Sequence, residues 1–318
     1  MRLVVTGGLG FIGSNFIGYW FSKHPKDTIV NIDKMTYAAN PENLKGLVEK
    51  HNYEFVKADI SDKDAMLRAV KGSDAVINFA AESHVDRSIS DPHAFIKSNI
   101  VGVYSMLEAI KKYGIRFHHV STDEVFGSLP LDSKEKFNEN SRYAPRNPYS
   151  ASKASGDHLV NAYFNTYGVP VTISNCGNNY GPNQHSEKLI PKTILNAIKG
   201  EKITVYGNGM QVRDWIYVED HCRALEIILN KGEIGQAYLV SAGQERRNMD
   251  VIKAILKRMG RGEEMIVHVK DRQGHDARYA LDASKIMSEL GWMPKTSFDR
   301  GLELTIEHYK NNTGKYSR

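Results

Sequence analysis

The chain has 318 residues, 41% of them hydrophobic and 25% charged, with 42 Lys and Arg against 37 Asp and Glu for a formal net charge of +5. That balance suits an ordinary globular protein of one large or two smaller domains, and the scattered basic residues argue against a nucleic-acid partner. No apolar run approaches the roughly 18 residues of a membrane span, and Cys176 and Cys222 lie far apart without the spacing of a disulfide framework or a metal site.

The N-terminus enters a strand-like RLVVT directly rather than through a leader, so a cytoplasmic location is the expectation. Further runs, TIVNID, EFVKADI, AVINFAA, RFHHVST and VTISNC, alternate with helix-like segments. The alternation predicts βαβ units, a parallel sheet and a doubly wound α/β fold. AVINFAA is almost uniformly apolar, as suits a strand covered on both faces.

RLVVT runs into TGGLGFIGSNFIGYWF, which places Gly7, Gly10 and Gly13 at the mouth of a helix. The first glycine permits a tight turn, the second lets backbone approach a pyrophosphate at the helix N-terminus, and the third lets helix and strand pack closely. Asp33 closes the second run where an acid takes ribose hydroxyls, and its charge favours NAD over NADP. RFHHVST leads into Asp123 and Glu124, at the strand end where α/β folds bind ligands. Neighbouring strand residues point to opposite faces, so both acids reach one substrate only if the strand has ended at Asp123.

In NPYSASKASGDHLVNAYFNTYG, Asn147 can cap, Pro148 suits the first helical position and Gly168 the end. Tyr149 and Lys153 then lie one turn apart on one face, where an ammonium and a cofactor's positive ring would lower the tyrosine pKa. After Gly181-Pro182 the runs become less regular, with helical patterns in EKLIPKTILNAIKG and NMDVIKAILKRMG, so a smaller second domain is expected. The closing NNTGKYSR reads as frayed.

YxxxK after this glycine turn resembles the extended short-chain dehydrogenase/reductase superfamily. The segments TGGLGFIGSNF, DKMTYAAN, AAESHVDRSI, NIVGVYSMLEA, STDEVFG, PYSASKAS, NNYGP, EKLIP, QVRDWIYVEDH and GHD look more narrowly like the dTDP-glucose 4,6-dehydratase family. TDEVFG stands where that family has TDEVYG, which leaves Thr122, Asp123 and Glu124 in place. The resemblance implies a Rossmann-type NAD-binding domain over 1–174 with returning segments at about 212–241 and 296–312, and a nucleotide-sugar domain over about 175–211 and 242–295.

It also implies site residues. Tyr149 would take the carbon-4 hydroxyl proton, supported by Thr122 and Lys153; Glu124 would take the carbon-5 proton and a protonated Asp123 would release the carbon-6 hydroxyl. Besides the three glycines and Asp33, cofactor contacts would fall on Phe11, Ile12, Lys34, Met35, Thr36, Asp59, Ile60, Phe79, Ala80, Ala81, Ser83, Asn99, Tyr149, Lys153 and Asn179. Substrate contacts would fall on Ser83, Thr122, Asn178, Asn179, Lys188, Leu189, Thr204, Val205, Tyr206, Arg213, Gln244, Arg272 and His275, with His185 read as a polar loop residue. A homodimer through helices near 95–112 and 150–167 is implied, and no metal.

Departures at Asn175, Gly177, Asn183 to Ser186, Gln244 and Gln273 fall in the substrate half and leave the base open: UDP- or CDP-glucose 4,6-dehydration is the alternative to dTDP-glucose. A UDP-sugar epimerase or decarboxylase shares Gly7, Tyr149 and Lys153, but the acid pair argues against both. A non-enzymatic NAD sensor would not need the proton-transfer groups.

Overall fold

The computed structural model describes residues 1–316. The six runs of the first half form β1 (Arg2–Thr6), β2 (Thr28–Asp33), β3 (Asn52–Lys57), β4 (Ala75–Asn78), β5 (Arg116–Thr122) and β6 (Val171–Cys176). They are followed by β7 (Asn178–Tyr180), β8 (Ile203–Tyr206), β9 (Val212–Tyr217), β10 (Ala237–Val240), β11 (Glu245–Arg247) and β12 (Ile266–Val269). A seven-stranded sheet in the order β10-β6-β5-β4-β1-β2-β3 is parallel at every pairing. The order reverses between β1 and β4, which opens a crevice at their C-terminal ends.

Alternating side chains fill a layer on each face of the sheet. Val4, Val30, Val76, Phe117 and Val171 pack towards the Gly102–Tyr113 and Pro148–Tyr167 helices. Leu3, Val5, Ile29 and Ile77 pack towards the Phe11–Lys23 and Val218–Lys231 helices. Two strands end earlier than their apolar runs suggest, at Lys57 and Asn78. β1 stops at Thr6, so Phe79 has no parallel partner on that side, and Phe79 to Ser83 become lining for the crevice.

The helices Pro92–Ile96 and Gly102–Tyr113 are joined by a π-helical turn, Lys97–Val101. Such a turn turns local side chains off the regular helical path and is frequent at functional sites. Here it buries Ser98 and Asn99.

β9 joins β7 and β11 in a separate three-stranded sheet, and β8 pairs with β12. The Phe298–Asn311 helix presents Phe298, Leu302 and Ile306, a stripe of four-residue spacing, to Tyr180, Trp215 and Ile194. Trp215 and Tyr217 of β9 thus pack with the Phe298–Asn311 helix, while Ile216 of the same strand packs beside Tyr238 and Val240 of β10. The Ser284–Leu290 helix and Trp292 pack on Tyr238 and Val240 of β10, beside the large sheet. The chain does not fray after Asn312: Thr313–Tyr316 forms a 3-10 turn, Tyr316 packs 4.6 Å from the Tyr309 ring, and Lys315 Nζ donates to Asn183 Oδ1 at 2.8 Å. The last two residues of NNTGKYSR lie outside the described residues. Among the described residues no helix is long and apolar enough to cross a membrane.

Candidate active site

Gly7 turns the chain out of β1 at φ +69°, and a Cβ there would stand 2.8 Å from the Ala80 backbone nitrogen. A Cβ on Gly13 would fall on the Gly7 carbonyl oxygen. A Cβ on Gly10 would stand 3.3 Å from the Gly7 carbonyl oxygen, and Gly10 lines the cavity with Phe11 and Ile12 at the start of the Phe11–Lys23 helix. That helix has neither a side-chain cap nor an acid in its first turn. Its first amides are thus suited to an anionic diphosphate, and the cradle fits a dinucleotide. Asp33, at the end of β2, accepts from Leu9 N at 3.1 Å and Met35 N at 2.8 Å, and burial raises its pKa.

Lys34, Thr36, Ile60, Phe79, Ala80, Ala81, Ser83 and Asn179 line the same cavity, but Met35, Asp59 and Asn99 do not. Met35 has φ +60° and is 41% exposed, because the Asp33 carboxylate holds its nitrogen and turns the side chain outward. Asp59 is spent on the Ser61 nitrogen and on Lys97, 3.5 Å away. Asn99 acts from beneath: its amide accepts from Glu82 N at 2.9 Å and donates to Glu82 O at 3.0 Å and Ser152 Oγ at 2.8 Å, which clamps the loop carrying Ala81 and Ser83.

β5 ends at Thr122, and Asp123–Phe126 turns away as a 3-10 helix. Thr122 Oγ1 accepts from Glu124 N at 3.3 Å and donates to Asp123 Oδ1 at 3.1 Å, capping that turn. Alternation therefore stops, and Thr122, Asp123 and Glu124 line one cavity with Tyr149 and Lys153. Tyr149 and Lys153 ride on the Pro148–Tyr167 helix, whose start is held by a capping box between Asn147 and Ser150.

Burial, followed by the Glu124 charge, pushes the Asp123 carboxyl well above the usual range, and one of its oxygens has no protein partner. Burial also raises Glu124, but Arg213 and Lys188 pull against it. Tyr149 departs from expectation. Burial and then the Glu124 charge drive its phenol well above ordinary values, and Lys153 Nζ donates to Val120 O at 2.7 Å.

A second cavity adjoins the first and shares Ser83, Glu124, Asn178, Asn179 and Lys188 with it. Leu189, Thr204, Val205 and Tyr206 form one side, and Arg213, Arg272 and His275 another. Arg213 stacks 4.3 Å from the Tyr279 ring centroid and donates to Asp276 O at 3.0 Å. Arg272 pairs with Asp86 at 2.6 Å and lies over Tyr206. Three cations facing one cleft suit a nucleoside diphosphate.

Gln244 is not on the lining. Its amide donates to Thr296 O at 3.1 Å and accepts from Phe298 N, so it is used up bracing the start of the last helix. Glycine at 177 answers a steric need, since a Cβ there would lie 2.7 Å from Asp214 O. Gln184, His185, Asp86 and Asp276 line the cavities although the sequence reading assigned them no role. Their positions beside EKLIP and inside AAESHVDRSI and GHD were the available signal. Among the described residues no cluster of three or more His, Cys, Asp or Glu could hold a metal.

Residues 4–305 match the family model described as GDP-mannose 4,6 dehydratase. The chain is 47% identical to a dTDP-glucose 4,6-dehydratase of Mycobacterium tuberculosis over 98% of its own length and 94% of that protein. It is likewise 47% identical to dTDP-glucose 4,6-dehydratase 1 of Escherichia coli, with the same coverage. Among solved structures, the dTDP-glucose 4,6-dehydratase DesIV of Streptomyces venezuelae, with NAD and TYD bound, superposes with a TM-score of 0.96 at 41% identity over 100% of this chain and 99% of that one. A Thermus thermophilus UDP-glucose 4-epimerase in complex with NAD reaches 0.90 at 29% identity, over 98% of this chain and 100% of that one.

Proposed function

The chain belongs to the dTDP-glucose 4,6-dehydratase family and is an NAD-dependent lyase, and we propose that Thr122, Asp123, Glu124, Tyr149 and Lys153 divide its chemistry among them. The reaction oxidises dTDP-glucose at carbon 4, eliminates water across carbons 5 and 6, and reduces carbon 6 to leave the 4-keto-6-deoxy sugar. Bound NAD supplies the hydride acceptor and donor for this sequence and leaves it unchanged. Gly7, Gly10, Gly13 and Asp33 would hold it.

Tyr149 takes the carbon-4 hydroxyl proton while Thr122 Oγ1 bonds the same oxygen and the Lys153 ammonium, one helical turn away, stabilises the phenolate. With carbon 4 a ketone, the carbon-5 proton becomes acidic and Glu124 removes it. Asp123 delivers a proton to the departing carbon-6 hydroxyl. The two acids need opposite protonation states: burial and the Glu124 charge hold Asp123 well above the usual range, while Glu124, raised by burial, is opposed by Arg213, which also acts on Asp123, and by Lys188. Lys188, Arg213 and Arg272 would hold the diphosphate.

The observation that carries this reading is the end of β5 at Thr122, which lets both acids enter the cavity that holds Tyr149 and Lys153. Incubation with dTDP-, UDP- and CDP-glucose in deuterated water, followed by NMR and mass spectrometry, tests it. The expected product from dTDP-glucose is a 4-keto-6-deoxy sugar carrying deuterium at carbon 5; protium at that carbon would remove the role given to Glu124. Preferential turnover of UDP- or CDP-glucose would reassign the base. A homodimer through the Gly102–Tyr113 and Pro148–Tyr167 helices is part of the proposal.

A further inference from the structure

Beneath the cavity floor a chain of buried polar side chains crosses the large sheet. Thr6 Oγ1 donates to Asn78 Oδ1 at 2.5 Å, and Asn78 Nδ2 lies 3.1 Å from His119 Nδ1. The Asn78 oxygen is already accepting, so its amide donates and His119 Nδ1 must be the acceptor. The ring proton is then on Nε2, which faces Asp157 Oδ1 at 3.3 Å. Asp157 Oδ2 accepts from Ser121 Oγ at 2.8 Å, Tyr143 OH at 3.0 Å and Asn175 Nδ2 at 3.1 Å. The Asn175 amide also donates to Thr122 O at 3.2 Å.

Asp157 is 0% exposed, yet its Oδ2 is met by donors from β5, β6 and the loop before its helix. Such a shell favours the carboxylate. Burial works to raise its pKa, but the His119 contact, the Lys153 charge and the Ser121 bond hold it below the ordinary value. Lys153 lies one helical turn earlier on the same face, and the two charges act on each other through the interior. Lys153 is itself buried and bonded to a neutral carbonyl.

We infer that Asp157 is a positioning residue for the reaction: it is the buried counter-charge that keeps Lys153 an ammonium beside Tyr149, and through Ser121 and Asn175 it secures the end of β5 that carries Thr122. The inference rests on the role given to Lys153 above. The other groups facing this pair do not replace Asp157. His119 on β5 is neutral, with its pKa lowered by burial and by Lys153; Cys176 on β6 is a thiol pushed up to about 12 by burial; Tyr143 in the loop is a neutral phenol raised by burial. Asp123 and Glu124 act on Tyr149, whose phenol their charges raise.

The test is Asp157→Asn, which removes the charge and keeps the shape. Burial already lowers the Lys153 pKa and Asp157 opposes that shift, so losing Asp157 lowers it further and the ammonium is lost earlier as pH rises. The alkaline limb of kcat/KM should move to lower pH by about one to three units. Tyr143→Phe, which removes one donor and leaves the charge, should keep the wild-type limb. A second readout is thermal melting. Asp157→Asn leaves a buried ammonium unpaired, so adding Lys153→Met should raise its Tm. An unmoved alkaline limb in Asp157→Asn, an equal shift in Tyr143→Phe, or a double variant melting no higher than Asp157→Asn alone would each overturn the inference. Wild-type turnover by Lys153→Met would overturn instead the role of Lys153, and the inference with it.

Discussion

Asp123 and Glu124 are adjacent and chemically alike, the first buried and the second half-buried in one cavity, yet the reaction asks one to give a proton and the other to take one. What separates them is their neighbours. Asp123 has an unpartnered oxygen and a carboxylate next to it, while Glu124 looks across the cleft at Arg213 and Lys188. Asp123→Asn should therefore spare oxidation at carbon 4 and slow water loss by about 10²- to 10⁴-fold, the usual contribution of a positioned acid. Enzyme-bound NADH should accumulate and be seen by its absorbance; turnover at the wild-type rate would remove Asp123 from the mechanism. The identities of these residues were legible in STDEVFG, but the tyrosine's raised pKa was not. It depends on burial and on the Glu124 charge, which only the fold brings to the phenol.

At the scale of elements, the site depends on where strands stop and on one irregular helix. β4 ends at Asn78 because β1 has ended beside it, and the apolar FAA becomes cavity lining. Apolar periodicity alone could not reveal this, since a buried loop and a buried strand have the same composition. The π-helical turn is equally invisible in NIVGVYSMLEA, yet it aims Asn99 at the Glu82 backbone. Gly156 is the point where the Pro148–Tyr167 helix crosses that turn, and a Cβ there would stand 2.8 Å from Asn99 O. Ala favours a helix interior by about 1 kcal/mol over Gly. Overpacking against backbone should outweigh it, so Gly156→Ala is expected to lower stability by about 1–2 kcal/mol net in urea unfolding. It should also weaken NAD binding measured by fluorescence titration, because Asn99 moves with the loop it clamps.

At the scale of the whole molecule, the sheet's C-terminal edge and the smaller half close on each other through Asp86 with Arg272 and through Lys188 with the Ser83 carbonyl. The outer surface of the helices beneath carries Ile96, Val101, Tyr104 and Tyr167, each more than 40% exposed. A homodimer would cover such a surface, and light scattering should return twice the chain mass; Tyr104→Glu should shift the species towards the monomer, since a buried unpaired charge opposes association. A monomer in the unsubstituted protein would remove the dimer from the proposal. The sequence by itself determined the parallel α/β class, the glycine cradle, the capped helix with Tyr149 and Lys153, and the acid pair, because each is a local pattern whose spacing encodes its own geometry. Only the tertiary structure decided that the last helix packs on Tyr180 and Trp215, that Gln244 braces the start of that helix, and that Asp157 lies among donors from β5, β6 and the loop before its own helix. Those outcomes depend on which surfaces and charges meet across the fold, and no local spacing records that meeting.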